Sequence, residues 1–178
     1  MSGHSKWSQI KHKKALSDAQ KSRHFAKLAG QIAVAARMKG SDPDSNPALR
    51  AVIEKAKEAN MPADNIERAI KKGAGGGKEM LEEVLFEAYG PGGAAMLISG
   101  ITDNKNRTAQ EIKHILSEHG AKLAAPGSAK FLFQKTGDGW QTATLVAVDE
   151  KTKKDLMALF EALDENDGVQ DVFTNADI

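Results

Sequence analysis

EVLFEAYGPGGAAMLISGIT, residues 83–102, holds two apolar runs parted by Gly90-Pro91-Gly92-Gly93. Proline fixes one turn φ and glycines supply the positive φ values that a tight reversal requires. The two flanking runs, residues 83–89 and 95–102, therefore read as consecutive strands of one sheet. Everything C-terminal to them alternates in period. Thr108 and Glu111 have capping-box spacing, Ile112, Ile115 and Leu116 give the following helix an apolar stripe, and Gly120 closes it. Residues 129–134 and 143–148 read as strands on either side of TGDGW, with Asp138-Gly139 as a two-residue hairpin turn. Phe131 and Phe133 alternate on the first of them as core residues. Leu156, Leu159, Phe160 and Leu163 mark a last helix, and residues 169–173 a last strand. From Ala95 the order is β-α-β-β-α-β, which is ferredoxin-like. The strand 83–89 extends that sheet or reaches back toward the N-terminal half.

The N-terminal half is helical. Leu16, Ala19, Phe25, Leu28, Ile32 and Ala35 recur at helical spacing. SDPDSNP breaks that helix. Asn46-Pro47 restarts the chain with a capping side chain and a proline at the first helical position, and Leu49, Val52, Ile53 and Ala56 face inward. After NMP, a third helix carries Ile66, Ala69 and Ile70 and stops at Gly73. The fold expected is thus α + α/β: a three-helix domain (residues 1–73), a glycine-rich hinge (74–80) and a ferredoxin-like domain (81–178). The tract before Ala15 has no apolar face and is expected to be mobile until bound.

Charge divides in the same place. From Met1 to Lys78, 12 Lys and 4 Arg face 7 Asp or Glu, a net +9; from Glu79 to Ile178, 9 basic residues face 17 acidic ones, a net −8. A half charged this way is suited to a polyanion. No apolar run reaches bilayer length, so no membrane is expected. The opening segment lacks the continuous apolar stretch of a secretory signal and reads as part of the mature, cytoplasmic protein. Absence of cysteine excludes disulfides, thiol catalysis and cysteine-based zinc sites.

Catalysis finds no foothold. No serine sits in a G-x-S-x-G elbow, and the five histidines match no zinc spacing. GAGGGK at residues 73–78 lacks the first glycine and the Ser/Thr of a phosphate loop. A non-enzymatic chain without metal or cofactor is expected. What remains suits nucleic acid. Lys6, Trp7, Lys11, His12, Lys13 and Lys14 combine positive charge with a stacking ring, and Lys21, Arg23 and Lys27 continue the run. Tyr89, Gly92 and Gly93 form a tip where a base can stack and backbone can approach. Lys105, Asn106 and Arg107, in TDNKNRT, stand where a strand enters a helix and free N–H groups favour an anion.

These residues also carry a resemblance. GHSKW, IKHKKA, DPDSNPALR, NMPADNIERAIKKG, AYGPGGAAM and ITDNKNRTAQEIKH, in this order, resemble the YebC family, which includes mitochondrial translational activators and bacterial probable transcriptional regulators. The resemblance runs from Gly3 to about Phe133 and resumes near Thr144. Members of that family usually carry an extra α/β domain after the strand that here ends FLFQK, and in this chain it is missing near residues 135–141. The resemblance implies regulation by binding: either at DNA, or in translation at the ribosome. Mapped by position, its basic segment falls on Lys6 to Lys27, its glycine turn on Tyr89 to Gly93 and its polar loop on Thr102 to Thr108. Ribosomal RNA or tRNA is favoured over duplex DNA because no duplex-reading element is evident. A monomeric translation factor is the expectation, with a DNA-binding regulator and a protein–protein adaptor as alternatives.

Overall fold

The structure, a computed structural model, describes residues 6–11, 16–75, 80–137 and 139–178. The chain forms two compact units.

The helical unit contains α2 (Asp18–Lys39), α3 (Pro47–Glu58) and α4 (Ala63–Ala74). Helix α2 starts at a capping box: the Ser17 side chain accepts from the Gln20 amide while the Gln20 side chain accepts from the Ser17 amide. Asn46 does more than cap α3. Its Oδ1 accepts from the Leu49 amide at 3.0 Å, and its Nδ2 donates to the Ala35 and Gly40 carbonyls at 2.9 and 2.8 Å. One buried amide thereby ties the start of α3 to the end of α2. Leu28, Ile32, Leu49, Ile53, Ala56, Ile66 and Ala69 close the core between the three helices. Helix α4 runs through Gly73, where an added Cβ would lie 2.2 Å from the Ala33 carbonyl oxygen. That glycine lets two helix backbones touch and does not end the helix, contrary to its reading as a stop.

The second unit is an α+β layer. Strands β1 (Glu82–Tyr89) and β2 (Ala95–Thr102) flank a 3-10 turn at Pro91–Gly93, as the sequence implies. Then follow α5 (Lys105–Glu118), β3 (Lys122–Ala124), a 3-10 turn at Lys130–Leu132, the hairpin β4 (Gln134–Thr136) and β5 (Gly139–Gln141), β6 (Val146–Ala147), α6 (Glu150–Asp164), β7 (Val169–Thr174) and β8 (Ala176–Asp177). The main sheet has the order β3-β1-β2-β7, with β3 antiparallel to β1 and β7 antiparallel to β2.

Alternation along the strands feeds two cores. Val84, Phe86, Ala88, Met96, Ile98 and Val172 pack under α5 and α6 with Ile112, Leu116, Leu156, Leu159, Phe160 and Leu163. Leu85, Tyr89, Ala95, Leu97 and Phe173 point the other way and are covered by Ala129, Leu132, Phe133 and Trp140. On this second face Glu87 is buried, yet its carboxylate is fully engaged. Oε1 accepts from the Gly127 amide at 2.6 Å, and Oε2 from the Ala129 and Lys130 amides at 2.7 Å each. Burial alone raises its pKa; these three donors, with the Lys130 charge, outweigh that and hold it below the ordinary 4.5.

Several elements depart from the sequence reading. The class is the α+β one expected, but the sheet is built ββαβαβ, so residues 82–89 form a central strand and not an extension. Helix α5 begins earlier than the Thr108–Glu111 spacing suggests. Asn104 is its cap, accepting from the Arg107 amide at 3.0 Å, and Thr108 is buried within the helix. Lys130–Leu132 form a 3-10 turn and strand begins only at Gln134, so Phe133 is buried but Phe131 is 74% exposed. A 3-10 turn places side chains roughly every 120°, which breaks the alternation that would have buried both. Residues 143–148 are paired only at Val146–Ala147, alongside β8. The hairpin pairs Thr136 with Gly139, so Gly139 belongs to β5 and is not a turn residue as read from Asp138-Gly139; residue 138 lies outside the described residues.

The turn after β1 yields a paired expectation. Gly92 and Gly93 both have positive φ, 70° and 72°. A Cβ at Gly92 would meet the Thr152 methyl at 2.8 Å, whereas one at Gly93 meets nothing within 4 Å. Gly93→Ala should cost about 1 kcal/mol from the left-handed backbone alone. Gly92→Ala should cost about 2–3 kcal/mol because a steric displacement is added. Chemical denaturation of the two variants side by side measures the difference.

Candidate nucleic-acid interface

Part of the opening tract is docked on the fold. Its Lys6–Lys11 segment is a six-residue helix, α1, that packs on β7 and α6 of the α+β unit. Trp7 is 6% exposed and sits edge-on to Phe160, ring centroids 5.9 Å apart. Its indole is core, with no face open to a base. Ile10 packs beside it, and Lys11 Nζ reaches Asp164 Oδ1 at 2.8 Å. Thus Lys11 is already paired. Trp7 Nε1 is buried and has no hydrogen-bond partner among the described residues. The Lys6 side chain, His12, Lys13 and Lys14 lie outside the described residues, as do residues 76–79 of the expected hinge.

On α2, Lys21 is exposed and 3.6 Å from Asp18. Arg23 is half-buried, and Lys27 is only 7% exposed. Lysine seldom enters a core unless engaged there, so Lys27 is a poor phosphate contact.

In the α+β unit, the Tyr89 hydroxyl donates to the Ser128 carbonyl at 2.6 Å and the ring packs on the second core. Tyr89 therefore anchors the 125–133 segment, while Gly92 and Gly93 stay exposed at the tip. Lys105, Asn106 and Arg107 are exposed in the first turn of α5, with Arg107 Nε 3.7 Å from Glu111 Oε1.

Fold geometry separates some of these groups and joins others. The glycine tip precedes β2 and the polar loop follows it, so eight residues of strand, about 26 Å, lie between them. By contrast, Lys11 and the polar loop share one end of the unit. Asp164 ends α6, Asn166 Nδ2 donates to Glu111 Oε2 at 2.9 Å, and Glu111 stands beside Arg107. Helix α1 therefore reaches, through Lys11, the end of the α+β unit that presents Lys105, Asn106 and Arg107. Among the described residues, no cluster of three His, Cys, Asp or Glu side chains is placed to hold a metal ion. No helix there is long and apolar enough to cross a membrane.

The helical unit carries a further feature that no local sequence signal announces. Ser22, Phe25, Ala26 and Ala29 of α2 face Asn65, Arg68, Ala69 and Lys72 of α4, with Met61 at one end, across a cleft of about 440 Å³. The helical signal in NMPADNIERAIKKG hides it, because the same period that buries Ile66 and Ala69 also sets Asn65, Arg68 and Lys72 along one edge.

Comparison with known proteins agrees with this architecture. A profile of the TACO1/YebC protein N-terminal domain matches residues 5–76, and one of the TACO1/YebC second and third domain matches residues 81–139. A protein of Fervidobacterium nodosum is 52% identical over 171 residues, covering 95% of this chain and 68% of that protein. One from Kosmotoga olearia is 56% identical over 138 residues, which make up 55% of its length. One from Rubrobacter xylanophilus is 38% identical over a 240-residue alignment that covers all of this chain and 96% of the relative. All three are named probable transcriptional regulatory protein. The last alignment is longer than the 178 residues of this chain, as a segment present there and absent here requires. The crystal structure of a conserved hypothetical protein from Aquifex aeolicus superposes with a TM-score of 0.88 at 36% identity, over 98% of this chain and 97% of that one. This chain belongs to the TACO1/YebC family.

Proposed function

We propose that this protein is a non-enzymatic, nucleic-acid-binding regulator of gene expression, and that its target is RNA at the ribosome. The observation that carries the reading is the opening tract. Residues 1–15 hold Lys6, Lys11, Lys13 and Lys14 with no carboxylate, and α1 within them is pinned by Trp7. An anchored cationic segment can meet a polyanion at less entropic cost than a loose one. Lys105, Asn106 and Arg107 at the same end of the α+β unit suit a backbone contact there. Irregular RNA is favoured because the described part of the tract is a six-residue helix, too short to present a base-reading face to a duplex major groove.

A second reading, transcriptional regulation at duplex DNA, is favoured by the names of the relatives. Co-sedimentation with purified ribosomes at rising salt, with promoter-length duplex DNA as competitor, separates the two. Pelleting that DNA does not reverse supports the RNA reading; ready displacement by DNA supports the other. The triple variant Lys6→Ala, Lys13→Ala, Lys14→Ala should keep its fold. If each lysine neutralises one phosphate, its salt dependence should fall by about 2 logarithmic units. Lys11 is left in place because it holds Asp164. Unchanged affinity of the triple variant at low salt removes the tract from the interface.

A further inference from the structure

We infer that the cleft between α2 and α4 seats an unpaired base of single-stranded RNA, with Arg68 and Lys72 holding the adjoining phosphates. This inference rests on the RNA reading above and names a site for it in the helical unit.

Its floor is apolar and shallow: Ala26, Ala29, Ala69 and Met61, beside the half-buried ring of Phe25. Alanines leave the volume open, and Phe25 offers a ring to a flat heterocycle. The polar groups are few and converge. Ser22 supplies a hydroxyl at one edge, and Asn65, half-buried, an amide at the other. Arg68 Nε donates to the Asp64 carbonyl at 3.4 Å and its Nη2 donates to Asn65 Oδ1, so guanidinium and amide form one linked pair. Lys72 follows one turn later on the same edge. The cleft lining thus contains two cations and no carboxylate, although α4 also carries Asp64 and Glu67. Helical period turns Glu67 away from the cleft edge set by Asn65, Arg68 and Lys72, whereas Asp64 stands one turn before Arg68, exposed and outside the cleft lining.

A volume of about 440 Å³ lies in the range of small-ligand sites. It admits a nucleobase and sugar but not a duplex. An acidic peptide would also satisfy the rim, yet it would leave unused the part of the Phe25 ring that lines the cleft, the Asn65 amide and the Ser22 hydroxyl. Base plus phosphate uses all of them. Helix α2 touches α4 backbone to backbone at Gly73 and Ala33, so the cleft walls are fixed where they meet.

The test uses the full chain and a short single-stranded RNA carrying one 2-aminopurine. Binding should quench or shift its fluorescence. Phe25→Leu keeps apolar bulk but removes the ring; it should abolish that signal and weaken binding about fivefold or more. Arg68→Gln with Lys72→Gln should weaken binding at least tenfold and lower the salt slope by about 1.4. Arg50→Gln with Lys55→Gln, exposed on α3, removes the same charge elsewhere and should change little. Circular dichroism checks that each variant is folded. Equal losses in the α3 and cleft pairs overturn the site, as does equal binding of an abasic oligonucleotide of the same length. Full displacement of the RNA by polyaspartate without a base-dependent signal would likewise show only a polyanion surface. If the wild-type chain binds no RNA, the RNA reading itself fails. If it binds RNA through the lysine tract and the cleft variants are silent, only this inference fails.

Discussion

Glu87→Gln should destabilise the α+β unit by about 2–4 kcal/mol, although it changes a single atom. Three backbone donors converge on the two carboxylate oxygens, one on Oε1 and two on Oε2. An amide has one acceptor oxygen. Whichever way Gln turns, its NH2 group faces an N–H donor, and at least one of the three amides is left unmet. The segment 125–133 that caps the second sheet face is then held mainly by Tyr89 and its own apolar contacts. Urea unfolding followed by circular dichroism measures the loss. Hydrogen exchange at the Gly127, Ala129 and Lys130 amides should show where it arises. The pH dependence has a fixed sign. Glu87 titrates below its ordinary 4.5 in the folded chain, so its contribution is complete above that value and is lost as pH falls toward the lowered folded pKa. The gap between wild type and Glu87→Gln should therefore be full at pH 7 and shrink below pH 4.5. A gap that is constant down to the acid limit would remove the charge from the explanation.

Trp7→Ala carries the second large effect, about 3–5 kcal/mol if α1 stays docked, because a wholly buried indole leaves a cavity against Phe160. A six-residue helix has little hold of its own. The more economical outcome is that α1 detaches, which caps the loss at the docking energy of the segment and breaks the Lys11–Asp164 pair. Trp7→Phe should be far milder, under about 1.5 kcal/mol, since it keeps most of the apolar contact and removes an N–H that has no described partner. The contrast between the two variants is the diagnostic. If neither changes stability, α1 is not docked in solution. If the tract binds RNA as proposed, detachment should lower affinity although no charge has been removed, because a loose chain pays more ordering entropy.

The fate of Trp7 shows where sequence reading stops. A lone tryptophan among lysines looks the same whether it awaits a base or fills a core. What decides is space beside Phe160, in a core built with α6 and β7, far later in the chain. Lys27 is similar, since its place in a basic run says nothing of its burial. Phe131 and Phe133 fit a strand, and only the turn at Lys130–Leu132 turns one of them outward. Glu87 lies in a strand whose neighbours on the same face are Leu85 and Tyr89; nothing local announces that three amides from a later loop await it. The α2–α4 cleft is equally silent, because its two edges come from segments separated by the whole of α3.

What the sequence determined by itself are the features fixed by local physics. The Asn46-Pro47 helix start, the strands on either side of Gly90–Gly93, the stripes of α2, α3, α4 and α6, and the split of charge all depend on residues within a few positions of one another. Tertiary structure alone decided the partner of β1, the docking of α1, the staple at Glu87 and the alignment of Arg68 and Lys72 beside Phe25. Each of these requires groups distant in sequence to share one site. Such pairings are selected by the free energy of closing the whole layer, a sum over both sheet faces and the helix core that no single stretch of chain encodes.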